Sequence, residues 1–331
     1  MMANFRKGLL PAMLCLAWLH LSGCSSVPKN AHVEAQKLWP EQNKIKQLAR
    51  GQWQPITTQK LLKPKQSAPE VALIRHRLAV LGDLPKTADQ GSTKYDQSLL
   101  KAVKQFQYRH GLDSDGVIGK STLAAMNVSP EQRLQQLKQS IQAWQQLPKT
   151  EVIHVNLASY QLNIFKNNDN PLQMKVVVGS DNWPTPELQS EVKSVVVNPK
   201  WHVPRNITEK ELIHKIAKDQ AYLDEEHIKI YDGWHKGAKT VDPQTIDWQR
   251  YAGEEDLPYR LIQSSGDHNA LGRIKFTFPN KEHVYLHDTP YKSAFSLVKR
   301  NLSHGCIRLQ QPMALLSYLQ QSEHLRGKEK I

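Results

Sequence analysis

The spacing of apolar residues changes once along this chain, at Pro148, and that change limits what the chain can fold into. Before it, Val71, Ile74, Leu78 and Leu81 recur at helical spacing, as do Leu99, Val103 and Phe106, and then Leu134, Leu137, Ile141 and Trp144. After it the period falls to two: Ile153, Val155 and Leu157 alternate with polar residues, and Tyr160, Leu162 and Ile164 follow. Val176–Val178 and Val195–Val197 read as short buried strands. The expectation is an α+β, multidomain chain, with a small helical domain first and a mainly β domain second. The 331 residues leave room for this, and 39% hydrophobic with 23% charged residues excludes wholesale disorder and multiple membrane spans.

Punctuation refines the helical part. Gly82 follows the first periodic run as a C-terminal cap would, and the second run ends near His110. His110-Gly111-Leu112 and Asp115-Gly116-Val117-Ile118-Gly119 form a glycine-rich loop, after which Ser121 is expected to cap a short helix through Met126. Ser129-Pro130 starts a further helix, which Pro148 ends. Residues 24–68 are rich in Lys and Gln and interrupted by Pro28, Pro40, Pro55 and Pro64. They read as a tether, whose coil dimension would be roughly 35–40 Å.

In the β part, Asn206–Arg260 is polar, with a helix expected from Glu209 to Ala217 and turns at Asp232-Gly233 and Asp242-Pro243. It reads as an insertion lying over the strands. Later strands are expected at Arg273–Phe278 and His283–His287, the second with His283, Tyr285 and His287 on one face. A short helix from Ser293 to Lys299 and a final helix from Pro312 complete the pattern.

The amino terminus and the cysteines bear on chemistry. Arg6 and Lys7 precede an apolar run from Leu9 to Leu21, the layout of a secretory signal. Without residues 1–23 the formal charge falls from +13 to +11, still strongly basic. No nucleic-acid module and no dense Lys/Arg run accompanies that charge, so nucleic acid is excluded as a partner and an acidic polymer remains. Cys15 leaves with the signal, while Cys306 sits in Ser303-His304-Gly305-Cys306-Ile307-Arg308-Leu309. A free thiol ionises near pH 8.5, about, so a nucleophilic role needs a base. His287 lies 19 positions earlier, enough for the chain to leave a strand and return beside it. Gly305 frees the backbone so that the amides of Gly305 and Cys306 can face a developing oxyanion. A metal centre from His283, His287, His304 and Cys306 is not expected, because residues four apart on a strand are separated by about 13 Å. No cofactor is expected either. His154, His202 and His227 read as surface or structural histidines. Of Trp183, Trp201, Trp234 and Trp248, some are open to a substrate groove and at least two to a core role.

The Ser-His-Gly-Cys run with its preceding histidine resembles the signature of the L,D-transpeptidases, cysteine enzymes of bacterial peptidoglycan. Val155-Asn156, Pro184-Thr185-Pro186, Asn198-Pro199-Lys200-Trp201, Asn269-Ala270-Leu271-Gly272-Arg273, Lys275-Phe276 and Tyr285-Leu286-His287-Asp288-Thr289-Pro290 extend the resemblance over about Val152–Leu319, to the larger Gram-negative branch with its substrate-capping insertion. It implies Cys306 as nucleophile, His287 as general base, Gly305 and Cys306 as backbone donors, and His304 as a shaping residue. Tyr285, Arg308 and Ser303 are the substrate-binding candidates. Two features depart from that branch: the region before the helical domain is shorter, and Ser264-Ser265-Gly266-Asp267-His268 replaces a Lys-Pro-Gly turn.

Phe106-Gln107, His110-Gly111-Leu112, Asp115–Gly119 and Thr122-Leu123 resemble a peptidoglycan-binding domain, which either binds glycan strands or serves as a spacer. Leu21-Ser22-Gly23-Cys24 resembles a lipobox, implying lipidation of Cys24 and, with Ser25 following, outer-membrane anchorage in the periplasm. The expected plan is therefore signal 1–23, tether 24–68, binding domain 69–128, connecting helix 129–148 and catalytic domain 149–326, with the insertion at 206–260. Stem peptides and glycan strands are the implied partners, and the sequence names no protein partner. The expected reaction is crosslinking between third stem residues with loss of D-alanine. Hydrolysis of the same bond, or a catalytically silent wall tether, are the alternatives.

Overall fold

The computed structural model describes residues 38–89, 91–146, 151–165, 172–252 and 256–321. The signal, Cys24 and Pro148 lie outside them. The chain divides into two compact units, Met1–Gln173 and Met174–Ile331.

In the first unit, residues 38–68 are folded where a flexible tether was expected. Helix α1 (Trp39–Leu48) buries Ile45 against Leu137 and Ile141, and Ile56 and Leu62 enter the core of the small helical domain. Leu62 and Ile118 exchange backbone hydrogen bonds at 3.2 and 2.9 Å. The polar composition hid these isolated apolar residues, whose partners lie far along the chain. Helix α2 (Pro69–Leu81) has proline in its first turn and ends on Gly82 at φ +86°, the left-handed cap expected of a glycine. Helix α3 (Gln97–Arg109) starts where the Asp96 carboxylate accepts from the Leu99 N–H. Helix α4 (Lys120–Asn127) has Gly119 at its N-cap, so Ser121, expected there, lies within the first turn. Helix α5 (Pro130–Gln146) opens with a reciprocal box: the Gln132 N–H donates to Ser129 Oγ at 3.2 Å, and the Ser129 N–H to Gln132 Oε1 at 2.9 Å.

Buried polar side chains of this unit are spent on packing. The Gln107 amide donates to Asp115 and to the Val117 carbonyl and accepts from the Gly116 N–H, and the Tyr95 hydroxyl donates to the Gly116 carbonyl at 2.6 Å. The motif that carried the resemblance therefore builds the loop. Strands β1 (Val152–Asn156) and β2 (Gln161–Phe165) form an antiparallel hairpin, and the Trp144 ring packs on His154 and Phe165. His154 is thus structural.

The second unit holds a sheet in the order β3-β12-β10-β9-β4, with β11 beside β3. Its strands are β3 (Gln173–Gly179), β4 (Ser194–Val197), β9 (Ile274–Thr277), β10 (Leu286–His287), β11 (Asn301–Ser303) and β12 (Ile307–Leu309). Val176, Val177 and Val178 are buried as expected. Val195–Val197 is not: β4 ends the sheet order, with Val196 and Val197 41% and 64% exposed, because β-branched residues suit an edge as well as a core. The expected strand at His283–His287 shortens to two residues. His283 has φ +53° and breaks the extended run, while Tyr285 and His287 keep one face, their rings 5.5 Å apart, and Leu286 and His287 are both buried because both faces of the strand are covered.

The insertion is a fold of its own. Strands β5 (Trp201–His202), β6 (Ile228–Tyr231), β7 (Thr240–Val241) and β8 (Arg260–Gln263) form a separate antiparallel sheet in the order β5-β8-β6-β7. Val203, Ile213, Ile216, Leu223, Trp248 and Leu261 are among the residues of its core. Its framing strands start at Trp201 and end at Gln263, wider than 206–260. The expected helix begins at Arg205, passes through a π-helical turn at Thr208–Leu212 and ends at Lys218. Trp248 and Trp201 serve this core, while Trp234 is exposed. Among the described residues no helix is long and apolar enough to cross a membrane.

Candidate active site

Three adjacent strands set one row of side chains. His287 on β10 stands opposite Lys275 on antiparallel β9 and beside Arg308 on parallel β12. Directly paired residues share a face, so the row reads Lys275, His287, Arg308. His287 is buried, and its Nδ1–H donates to the Asp288 carbonyl at 2.5 Å. That bond fixes the tautomer and leaves Nε2 as the basic nitrogen. Burial, reinforced by Arg308 and Lys275, pushes the imidazole down to about 3, so it is neutral at physiological pH.

Asp288 steadies this carbonyl. Its carboxylate accepts from the Arg273 N–H at 2.9 Å and from Lys292 Nζ at 2.5 Å. Burial pushes its carboxyl up, but these donors together with the Thr289 N–H outweigh that and hold it below the usual range. Gly272, at φ +59°, passes so close that a Cβ there would meet the Asp288 carboxyl at 2.5 Å.

Cys306 follows a tight loop. The Ser303 hydroxyl donates to the Cys306 carbonyl at 2.5 Å and accepts from the Gly305 N–H at 3.2 Å. Ser303, expected to bind substrate, is buried and occupied in tying this loop. Its bond also engages the Gly305 amide that was expected to face an oxyanion. Gly305 has φ +107°, which side-chain-bearing residues rarely adopt, and its carbonyl accepts from Thr185 Oγ1 at 2.8 Å. A Cβ there would meet nothing nearer than 3.7 Å, so conformation, not space, requires the glycine.

Cys306 is the free cysteine among the described residues, and its thiol donates to the His283 carbonyl at 3.9 Å, not to His287. Burial pushes the thiol up, while Tyr285, through both backbone and hydroxyl, together with Lys275 and Arg308, pulls it back. The Tyr285 phenol is itself held well above its ordinary value, by burial and by Cys306, and stays a donor. Its ring meets that of His287 edge-on at 5.5 Å. The resting site therefore couples a neutral thiol with a neutral imidazole in a field of two cations. Arg308 Nε is buried without a hydrogen-bond partner among the described residues.

The insertion reaches the motif. Glu211, on the π-helical turn, accepts from His304 Nε2 at 2.5 Å, and Lys210 stands 4.7 Å over the Trp183 ring, which lies 5.4 Å from His304. Among the described residues no cluster of three or more His, Cys, Asp or Glu could hold a metal ion. Of the expected residues, Cys306, Tyr285 and Arg308 converge with His287 in the row beside them, His304 points to the insertion, and Ser303 is internal. Lys275 and Glu211 were missed. Only the Lys275-Phe276 pair on an expected strand could have signalled the first, and nothing local signals a partner 93 residues away.

A family model described as the L,D-transpeptidase catalytic domain matches residues 150–324, more than half of the chain. The chain belongs to the L,D-transpeptidase family. A second model, described as "Putative peptidoglycan binding domain", matches residues 67–126. A Haemophilus influenzae protein named "Putative L,D-transpeptidase" is 37% identical over 167 residues, covering 50% of this chain and 33% of its own length. The chain thus spans about a third of that relative. The L,D-transpeptidase match takes in the β1–β2 hairpin as well as the strands around Cys306.

Proposed function

We propose that the chain crosslinks peptidoglycan through a covalent intermediate on Cys306. The observation that carries this is the placement of a half-buried thiol, the free one among the described residues, among Tyr285, Lys275 and Arg308, one strand from the oriented imidazole of His287. His287 Nε2 takes the thiol proton, and the sulfur attacks the carbonyl carbon of the L,D bond after the third residue of a tetrapeptide stem. The carbonyl becomes an oxyanion, facing the Cys306 amide and, once it swings from Ser303, the Gly305 amide. Collapse of this intermediate breaks the C–N bond, and His287 returns the proton to the leaving D-alanine amine. The side-chain amine of diaminopimelate in a second stem then attacks the thioester, forming the new amide and releasing the thiol. The unpartnered Nε of Arg308 suits a carboxylate of the donor stem.

The insertion caps the site through Glu211 and His304, limiting water while the acyl group waits. The helical domain holds glycan strands, and a lipid on Cys24 anchors the protein to the outer membrane from the periplasmic side. Incubation with tetrapeptide-rich muropeptides, read by mass spectrometry, tests the reaction. Crosslinked dimer with free D-alanine supports it. Tripeptide alone would assign the chain to hydrolysis by water, and unchanged substrate would make it a silent wall-binding protein.

A further inference from the structure

Generating a thiolate in this site demands a counter-charge that neither His287 nor a helix end supplies in the resting structure. Lys275 is placed for it. Its ammonium lies 3.8 Å from the centroid of the Tyr285 ring, whose hydroxyl meets Cys306, and its backbone is paired with His287. Among the described residues no carboxylate pairs with it, whereas Lys292, the cation on the next segment, is paired with Asp288. A half-buried ammonium without a carboxylate is costly unless an anion forms nearby during the working cycle. The sulfur is that anion.

We propose that Lys275 is the positioning residue that stabilises the Cys306 thiolate, with the Tyr285 ring as the platform that holds its ammonium in place. The electron pair left on sulfur after proton loss to His287 then develops against a fixed positive charge. This rests on Cys306 being the nucleophile. Other titratable or charged groups near the sulfur are Tyr285 and His287 on the preceding segment and Arg308 on β12, while Asp288 pairs with Lys292 and His304 hydrogen-bonds Glu211. Burial draws the Lys275 ammonium down and the Cys306 charge pushes it back up, which agrees with mutual dependence.

The test is the pH dependence of Cys306 alkylation by iodoacetamide in the full chain, followed by intact mass. It needs no transpeptidation and so separates this inference from the proposed reaction. Lys275→Met should move the alkylation midpoint upward by about one pH unit and slow the reaction near neutrality about tenfold, while Lys275→Arg should keep most of the wild-type profile. If Lys275→Met fails to fold by circular dichroism, Lys275→Gln takes its place with the same expectation. Equal shifts in the Arg and neutral variants would make Lys275 a packing residue and overturn the proposal, as would an unmoved midpoint. Crosslinking retained by Cys306→Ala would instead overturn the proposed reaction on which it rests.

Discussion

Two histidines in different parts of this chain share nearly every local feature. His110, at the end of α3, donates Nδ1–H to the Phe106 carbonyl at 2.7 Å, and His287 donates the same nitrogen to the Asp288 carbonyl at 2.5 Å. Both are pushed down to about 3, by burial first and then by nearby arginines, Arg109 and Arg133 for one and Arg308 for the other. They differ in what surrounds them. His110 stacks on Phe106 at 3.9 Å and faces an apolar cavity lined by Ile45, Leu48 and Met126, whereas His287 sits in a row with Lys275 and Arg308, next to Tyr285, whose hydroxyl meets the Cys306 thiol. A perturbed, anchored imidazole is therefore not in itself a site. What sets His287 apart is the company of two cations in its row and of a thiol on the next segment.

The sharpest way to break the comparison is to remove the proposed nucleophile. Cys306→Ala should abolish crosslinking while leaving the circular dichroism unchanged, and activity above a few per cent of wild type would place the nucleophile elsewhere.

Next come the two histidines themselves. His287→Ala should slow acyl-enzyme formation by about 10²- to 10⁴-fold. His110→Ala should leave the rate within about twofold and instead cost about 1–3 kcal/mol of stability, read by denaturant melts. Because both folded imidazoles resist protonation until about 3 and the unfolded ones protonate near about 6.5, their contribution is complete above about pH 6.5. It is lost as pH falls from there towards about 3, and His110→Gln should flatten part of that decline. A large rate loss in the His110 variant would erase the contrast.

A smaller effect is expected at the edge of the site. Glu211→Gln weakens the contact with His304 and should raise the tripeptide share of the products about two- to fivefold, as water gains access, with little change in total turnover. An unchanged product ratio would mean that the insertion does not control water.

The sequence made the local elements legible. The Gly82 cap, the Ser129-Pro130 helix start and the Ser303–Cys306 loop each carry their signal within a few residues. Features that rest on distant partners were not legible. Ile45, Ile56 and Leu62 look like exceptions in a polar stretch until Leu137 and Ile118 are beside them. The insertion reads as polar because its core is shared among short strands and helices, none apolar enough alone to announce a second sheet. Ionisation state was not legible. A cysteine that needs a base could form an ion pair with a histidine, but burial disfavours both charged forms, and the thiol faces Tyr285 and the His283 carbonyl.

The central claim is that the resting site holds a neutral thiol beside a neutral imidazole, with charge separation deferred to the moment of attack. Ultraviolet thiolate absorbance, taken as the difference between wild type and Cys306→Ser across pH, measures this directly. The account predicts almost no thiolate at neutrality and a single rise above about pH 8.5, the ordinary thiol value, because burial raises the Cys306 thiol. A full thiolate signal already present from about pH 5 to about pH 7 would contradict it and restore the ion pair.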